Sequence, residues 1–364
     1  MGGKLFSIIE DRYCGHLLWR KEKSFMLEKP DISDELIISQ LQAQYGLQVT
    51  RLEFLPLGAD MGTAVYRVIA ENGTAYFLKL RRGFEEIIVT VPLFLRSQGI
   101  QEIIIPFQTK SKEHWADFGE YKMILYPFIK GKDGFDRELT DIHRKALGAA
   151  LKAIHTSQVP PDLSKLIPQE TFSAQWRESL KSLQALIENK TFHDPTAAKL
   201  AEFMKSKPRE IDQLVERTEE LASEVQSKSL EPVLCHTDVH GGNILMSDDD
   251  KLYIVDWDNP IFAPKERDLM FIGGGIGEIA HNEQEEASFY EGYGKTEINL
   301  PALAYYRYAR LIEDLAVIGE LLLRSDEGRA DREQSYGWFI SNFEPGNTID
   351  IARRTDQLSL IARR

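Results

Sequence analysis

The chain has 364 residues, of which 43% are hydrophobic and 28% charged, and a net charge of −13. This length allows two lobes with sizeable cores, and the composition is ordinary for a globular protein. The acidic balance argues against nucleic acid as the main partner, because phosphate backbones require a basic face. It suits a cationic small molecule. The two cysteines, Cys14 and Cys235, have no pairing or metal-ligand spacing, which favours a reducing cytoplasm.

The N-terminal region is expected to hold no targeting signal. No apolar run approaches the ~20 residues needed to cross a bilayer, and residues 1–25 lack the apolar core of a signal peptide. We therefore expect a cytoplasmic protein with no membrane partner. Because residues 1–25 show no clean periodicity and Met26 resembles a natural chain start, we predict that they are an extension outside the fold, either mistranslated or loosely held. The alternative is a short helix packed on the small lobe.

The first predicted elements are a helix and three strands. The helix covers residues 34–45, with Ser33 as its N-cap and Gly46 just past its end. The strands are predicted over residues 49–56, 64–70 and 74–80. Asn72-Gly73 between the last two strands is a strong hairpin signal.

Two features of this region favour phosphate binding. Gly58 and Gly62, in the loop between the first two strands, would let backbone N–H groups approach a phosphate, although a plain connecting loop can also contain two glycines. Period-two alternation places Lys79 on one strand face with Ala75 and Phe77. A charged lysine among apolar side chains costs free energy unless an opposite charge pairs with it. The alternative is an edge lysine that extends into solvent.

The middle of the chain marks a boundary between two lobes. Further strands are predicted over residues 103–105 and 121–126, and the change to proline and glycine at 127–131 ends the first lobe. The second lobe opens with a helix over 141–157, N-capped by Thr140, and continues with a charged, helix-rich insert from 160 to about 230. C-terminal helices are predicted near residues 284–293, 301–324 and 331–343.

The most informative pattern is a polar loop between apolar segments. Asp238 and Asn243 lie five positions apart, and Asp256 follows 13 positions after Asn243, at the end of an apolar run. The pattern predicts a strand, a glycine-containing loop and a returning strand. Each residue type alone is common in turns. The spacing and the apolar flanks together favour a phosphoryl-transfer site, which needs a carboxylate for the acceptor hydroxyl and oxygen ligands for Mg²⁺.

These residues resemble the aminoglycoside phosphotransferases, which share the protein-kinase-like fold, and within them the spectinomycin phosphotransferase branch. The resemblance extends from about residue 26 to about 351 and is carried by residues 234–243, 254–258 and above all 263–275. It implies a bilobal α+β fold, with a small antiparallel-sheet lobe and a larger helical lobe that carries a two-stranded catalytic hairpin. The implied divisions are 26–126 for the small lobe, 127–130 for the hinge, 131–355 for the large lobe and 356–364 for a tail.

The resemblance also implies the roles of the central residues. Asp238 would orient the acceptor hydroxyl and take its proton, while Asn243 and Asp256 would hold Mg²⁺ on the phosphates of ATP. The backbone of Tyr126 and Phe128 in the hinge would bind adenine.

Lys79 would bind the α- and β-phosphates of ATP and would be oriented by a carboxylate from the following helix. Glu86 matches the branch better than Glu85, but either could be solvated. Pro92 interrupts the expected helix and puts its start or its straightness in doubt.

Other acidic residues have less specific roles. By resemblance, Asp268 supports the catalytic loop through its backbone. Asp258, Glu313 and Asp314 are candidate contacts for a cationic acceptor. Arg310 can instead pair with Glu313 or Asp314 within one helix, and this second role is favoured.

The preferred acceptor is a hydroxyl of spectinomycin, and the protein is expected to be a monomer or a weak homodimer. The closest rival is a small-metabolite kinase that acts on choline, another amino alcohol or a sugar. A non-catalytic binding protein is disfavoured because it would have lost one of four site residues, and all four are present: Lys79, Asp238, Asn243 and Asp256. A protein kinase is disfavoured because Thr237 replaces an arginine and because the 12 residues from Asp256 to Arg267 leave little room for an activation loop.

Overall fold

The computed structural model describes residues 29–56, 62–273, 279, 282–325 and 332–361. The predicted N-terminal extension and Gly58 therefore lie outside the described residues. Within the described ranges, no helix is long and apolar enough to cross a membrane.

The small lobe is built on a five-stranded antiparallel sheet with the strand order β1-β2-β3-β5-β4. It comprises α1 (Asp34–Tyr45), β1 (Val49–Leu55), β2 (Thr63–Ala70), β3 (Ala75–Arg81), α2 (Ile87–Ser97), β4 (Ala116–Phe118) and β5 (Tyr121–Pro127). The predicted caps of α1 are confirmed: the Ser33 side chain accepts from the Leu36 N–H, and Gly46 adopts a left-handed φ of 74°. The hairpin turn at Asn72-Gly73 is also present.

The strand predicted over 103–105 is wrong. Ile103 forms only an isolated bridge with Ile254, and the strand that completes the sheet is β4. The Ile254 N–H donates to the Glu102 carbonyl at 2.8 Å, and Ile103 belongs to the core of the large lobe. The apolar run is therefore buried at the junction of the two lobes instead of in the sheet.

Helix α2 forms even though Pro92 lies inside it. Its residues Ile87, Val91 and Leu95 recur every four positions and pack into the large-lobe core. The sheet has a separate core, which includes Ile37, Leu78 and Leu125. By its packing, α2 belongs to the larger body.

The large lobe is mainly helical. Its helices are α3 (Asp141–His155), α4 (Pro161–Ser164), α5 (Gln175–Asn189), α6 (Pro195–Ser206), α7 (Pro208–Ser227), α8 (Glu266–Leu269), α9 (Glu283–Tyr293), α10 (Leu300–Arg324), α11 (Arg332–Ser341) and α12 (Thr348–Ile361). The predicted boundary at 355 between the large lobe and the tail falls inside α12, which continues to Ile361. Asp356 receives two 2.8 Å hydrogen bonds from Arg217 of α7, which ties this last helix to the lobe.

The segment around the predicted catalytic hairpin contains more than two strands. Strand β7 (Val233–Cys235) pairs with β10 (Ile261–Ala263), whereas β6 (Gly131–Asp133), β8 (Ile244–Ser247) and β9 (Leu252–Ile254) form a second small sheet. A 3₁₀ turn at Gly241–Asn243 redirects the chain between the two sheets. The loop after β7 therefore lies where both sheets meet.

Candidate active site

Asp238 lies on the loop between β7 and the 3₁₀ turn, where neighbouring groups fix its surroundings. The Nδ1 of His240 accepts from the Gly242 N–H at 3.0 Å, and its ring stacks on Phe135 with 5.4 Å between centroids. With Nδ1 acting as an acceptor, the neutral ring carries its proton on Nε2, which lies 3.4 Å from Asp238 Oδ2. The buried histidine therefore holds one carboxylate oxygen by a long contact.

Asn243 is fixed against the same loop. Its Nδ2 donates to the Asp238 backbone carbonyl at 2.9 Å, which leaves the amide oxygen for another ligand. The Asn243 carbonyl accepts from the Val255 N–H at 3.0 Å, so Asn243 lies beside the segment that leads to Asp256. Thr237 and Asp256 both have positive φ angles, of 77° and 65°. Non-glycine residues in this region are strained, and such strain concentrates at functional sites.

His236 connects the two predicted site segments. Its Nδ1 accepts from the Asp238 N–H at 3.3 Å, while its Nε2 donates to the Val255 carbonyl at 2.9 Å. Its ring packs edge-on against Trp257, with 4.5 Å between centroids. The His236 imidazole thus contacts the backbone of both segments, at Asp238 itself and at Val255, the residue before Asp256.

Asp268 makes the backbone contacts that the resemblance implies. It accepts from the N–H groups of His236 at 2.9 Å and Thr237 at 2.7 Å, and from His155 Nε2 at 3.0 Å. The His155 Nδ1 in turn accepts from the Tyr293 hydroxyl at 2.8 Å. Burial raises the pKa of Asp268, but the hydrogen bonds from His155 and from the His236 backbone outweigh it and lower the pKa.

Cys235 lies near His155 and Asp268, and their ligand atoms fall within 4.8 Å of one another. The Asp268 oxygens are already engaged by three donors, and the Cys235 thiol faces the Ala263 and Pro264 carbonyls. The cluster is therefore a hydrogen-bonded support for the loop.

A cluster of two cations and two carboxylates spans the lobes. We call it the Lys79 cluster; it consists of Lys79, Arg81, Asp256 and Asp258. Lys79 Nζ lies 3.0 Å from Asp256 Oδ1 and 2.9 Å from each oxygen of Asp258, and Arg81 also contacts Asp258. Burial raises the pKa of Asp256, but the charge and hydrogen bond of Lys79 outweigh it and lower the pKa.

Of the other residues predicted to bind nucleotide, Tyr126, Phe128 and Gly62 lie in or next to the small-lobe sheet. Tyr126 is paired with Phe77 in the sheet, the Phe128 ring lies 4.8 Å from the Arg67 guanidinium, and the Gly62 carbonyl accepts from the Arg82 N–H at 2.8 Å. Their contacts with ATP stay predictions. Glu86 is exposed at the start of α2, makes no side-chain cap, and is not brought to Lys79.

The sequence did not predict that Arg310 reaches Asp238. Arg310 Nη1 donates to Asp238 Oδ1 at 2.8 Å, and its Nε donates to Asp314 Oδ1 at 3.1 Å. The pairing with Asp314 within α10 is confirmed. The 72-residue separation from Asp238 left no local signal for the other contact. We call Arg310, Asp238 and Asp314 the Arg310 cluster.

Asp314 is almost completely buried, with its carboxyl held by Arg310, whereas Glu313 is half-buried beside it. Burial raises the pKa of Asp314 to about 8, and the charges of Glu313 and Asp238 act in the same direction against the opposing effect of Arg310. Of these two candidate acceptor contacts, Glu313 is the more accessible.

Comparison with known proteins identifies the family. The sequence profile of the phosphotransferase enzyme family (APH) matches residues 53–306. The chain belongs to this family. The APH chain is similar to the structure of spectinomycin phosphotransferase APH(9)-Ia in complex with ADP and spectinomycin, with 36% identity and a TM-score of 0.83. The match covers 90% of this chain and 100% of that one.

More distant relatives are less similar in sequence. Protein StrN of Streptomyces griseus is 24% identical over 247 residues, which cover 66% of this chain and 75% of StrN. An ethanolamine kinase of Plasmodium vivax, 14% identical, shares only the fold, with a TM-score of 0.55 over 94% of this chain and 89% of that one. The predicted α+β, protein-kinase-like fold is confirmed, and the chain is a kinase of the APH family.

Proposed function

We propose that this kinase transfers the γ-phosphate of ATP to a hydroxyl of spectinomycin. The observation that carries the proposal is the convergence of Lys79, Asp256, Asn243 and Asp238 at one junction of the two lobes. The 36% identity over the full length of a spectinomycin phosphotransferase supports this acceptor.

Asp238 is the proposed base, and its two oxygens have different surroundings. Arg310 holds Oδ1 at 2.8 Å, whereas the contacts of Oδ2 with His240 and Asn243 are both 3.4 Å long. The acceptor hydroxyl therefore donates to Oδ2. As its oxygen bonds to the γ-phosphorus, the bond to the β–γ bridging oxygen breaks, ADP leaves, and the hydroxyl proton passes to Asp238.

Asn243 and Asp256 are proposed to hold Mg²⁺. An amide oxygen and a carboxylate are suitable ligands for this cation, and the Asn243 amide nitrogen is already used by the Asp238 carbonyl. When bound, Mg²⁺ would neutralise charge on the phosphates. Lys79 exchanges its contact with Asp256 for the α- and β-phosphates, so the Lys79 cluster supplies a preformed cation at the nucleotide.

A cationic acceptor fits the charge of the protein and of the site. The chain carries a net charge of −13, and Glu313 remains half-buried and accessible next to the Arg310 cluster. Asp258 and Asp314 are less suited to contact the acceptor than the sequence suggested, because cations of the protein already engage both.

The test is ADP release by the purified protein with Mg-ATP and one acceptor at a time: spectinomycin, kanamycin, choline, ethanolamine and a sugar. We expect release only with spectinomycin, and expression in a sensitive bacterium should confer resistance to spectinomycin and little to kanamycin. Release with choline or ethanolamine but not with spectinomycin would assign the chain to amino-alcohol phosphorylation. The matched control is Asp238→Asn, which should be inactive with every acceptor.

A further inference from the structure

The structure supplies Lys79 with a carboxylate partner that does not come from helix α2. Asp258 places both carboxylate oxygens 2.9 Å from Lys79 Nζ, and its side chain is only 15% exposed. It follows Asp256 by two positions, on the large-lobe side of the cleft. The contact therefore joins the third strand of the small lobe to the segment after β9.

Helix α2 cannot provide such a carboxylate from its own residues. None of its 11 residues is acidic, and all its buried positions are apolar. Its residues Ile87, Val91 and Leu95 are committed to the large-lobe core, which fixes the orientation of the helix. Glu86 precedes the helix and is exposed, so it would need to leave solvent to reach Lys79.

Asp258 is itself held in place. Arg81 lies two positions after Lys79 on the same face of β3 and contacts Asp258 Oδ2, while its Nη1 lies 3.5 Å from the Thr63 hydroxyl. Asp256 and Asp258 carry two negative charges, and Arg81 supplies the second positive charge that balances them beside Lys79. Held by Arg81, Asp258 stays beside Lys79 when Lys79 exchanges its contact with Asp256 for phosphate.

We infer that Asp258, and not Glu86, is the positioning residue that orients Lys79 for the nucleotide. This inference rests on the proposed function, in which Lys79 binds the phosphates of ATP. Without Asp258, Lys79 keeps only Asp256 of this cluster as a carboxylate partner. It gives up that contact when Asp256 binds the metal, and no carboxylate of the cluster then orients it.

The experiment is a double-substitution cycle read out as ADP affinity by calorimetry, which does not require turnover. Asp258→Asn should weaken ADP binding about fivefold when Lys79 is present. On a Lys79→Ala background it should change the affinity less than twofold, because Asp258 acts through Lys79. The matched control Glu86→Gln should stay within twofold of the wild type, and circular dichroism of each variant checks that it is folded.

Metal-free and metal-containing titrations separate this role from metal binding. We expect the Asp258→Asn effect both in EDTA and with Mg²⁺. An effect that disappears in EDTA, that is unchanged without Lys79, or that is matched by Glu86→Gln would overturn the inference. Failure of the proposed function would appear separately, as wild-type protein that binds ADP but phosphorylates no acceptor. The cycle decides the role of Asp258 in either case.

Discussion

The two charged clusters of the site differ in composition and in response to pH. The Lys79 cluster balances two cations against two carboxylates and bridges the lobes. The Arg310 cluster sets one cation between two carboxylates of a single lobe. Burial lowers the pKa of Lys79, but the charges of Asp256 and Asp258 outweigh it and raise the pKa, whereas Asp314 has a raised pKa of about 8. Lys79 of the first cluster therefore stays charged at neutral pH, whereas Asp314 of the second titrates close to it.

The largest expected effect separates chemistry from nucleotide binding. Asp238→Asn should lower kcat by ~10²–10⁴-fold, because positioned proton transfer contributes that much, while ADP affinity stays within a few fold. Asp256→Asn should instead abolish the Mg²⁺ dependence of nucleotide binding. Steady-state kinetics and calorimetry with and without Mg²⁺ check both. If Asp238→Asn keeps more than roughly a tenth of wild-type kcat, Asp238 is not the base.

The second prediction tests whether Arg310 acts on stability and on activity through different partners. Above pH 8, where Asp314 is ionised, Arg310→Ala leaves this carboxylate buried without its cation, and breaking a buried pair in this way costs roughly 3–5 kcal/mol. We expect a lower Tm and a lower kcat. Adding Asp314→Asn should recover much of the Tm, since the uncompensated carboxyl is gone, but not the kcat, since Asp238 Oδ1 still lacks its donor. Equal recovery of both would contradict a separate role for Arg310 at Asp238.

A smaller effect is expected for the hydrogen bonds that support the loop containing Asp238. His155→Ala removes a hydrogen bond to the Asp268 carboxylate, a loss of ~1.5–3 kcal/mol, and should lower the Tm by about 3–6 °C together with kcat. Tyr293→Phe removes only the hydroxyl that donates to His155 and should cost less than half as much. Thermal melts and kcat measurements test this order. A Tyr293→Phe variant that is the more damaged of the two would show that the support does not act through His155.

The last prediction is a pH dependence of stability from Asp314. Its pKa rises from about 3.9 in the unfolded chain to about 8 in the folded protein, so the folded state favours the protonated carboxyl. The resulting stability is fully present below the unfolded pKa and is lost as pH rises toward 8. The groups facing it are Arg310, Glu313 and Asp238.

Thermal melts from pH 5 to 8.5 provide the measurement. The Tm of the wild type minus that of Asp314→Asn should decrease as pH rises. Asp162→Asn, at an exposed surface pair, is the control and should parallel the wild type. Parallel curves for Asp314→Asn as well would show that Asp314 does not titrate in this range.

Local signals in the sequence predicted local structure well. Ser33 and Gly46 bounded the first helix, and Asn72-Gly73 marked the hairpin, because caps and tight turns depend on a few adjacent residues. The spacing of Asp238, Asn243 and Asp256 predicted a site whose members the fold does bring together. Three apolar residues at 103–105 were misassigned, since a short apolar run does not reveal whether it will pair in a sheet or lie in a core.

The remaining errors concern long-range partners. Nothing near Arg310 indicates that it reaches Asp238, and nothing near Lys79 indicates that Asp258, 179 positions away, is its partner. Side chains with several possible partners of opposite charge are assigned by the tertiary fold and not by sequence spacing. The last helix was missed for a similar reason, because its stability comes from packing and from the ion pair of Asp356 with Arg217.

The packing of α2 determines where the molecule can be divided. A fragment ending at Pro127 would contain the entire five-stranded sheet, yet Ile87, Val91 and Leu95 would lose the surface that buries them. Each such side chain contributes about 1.5–3 kcal/mol when fully buried, against a total stability of about 5–15 kcal/mol for a typical domain. The small lobe therefore depends on the large lobe for its folding, and a cut at the hinge would leave an apolar face of α2 exposed on the small-lobe fragment.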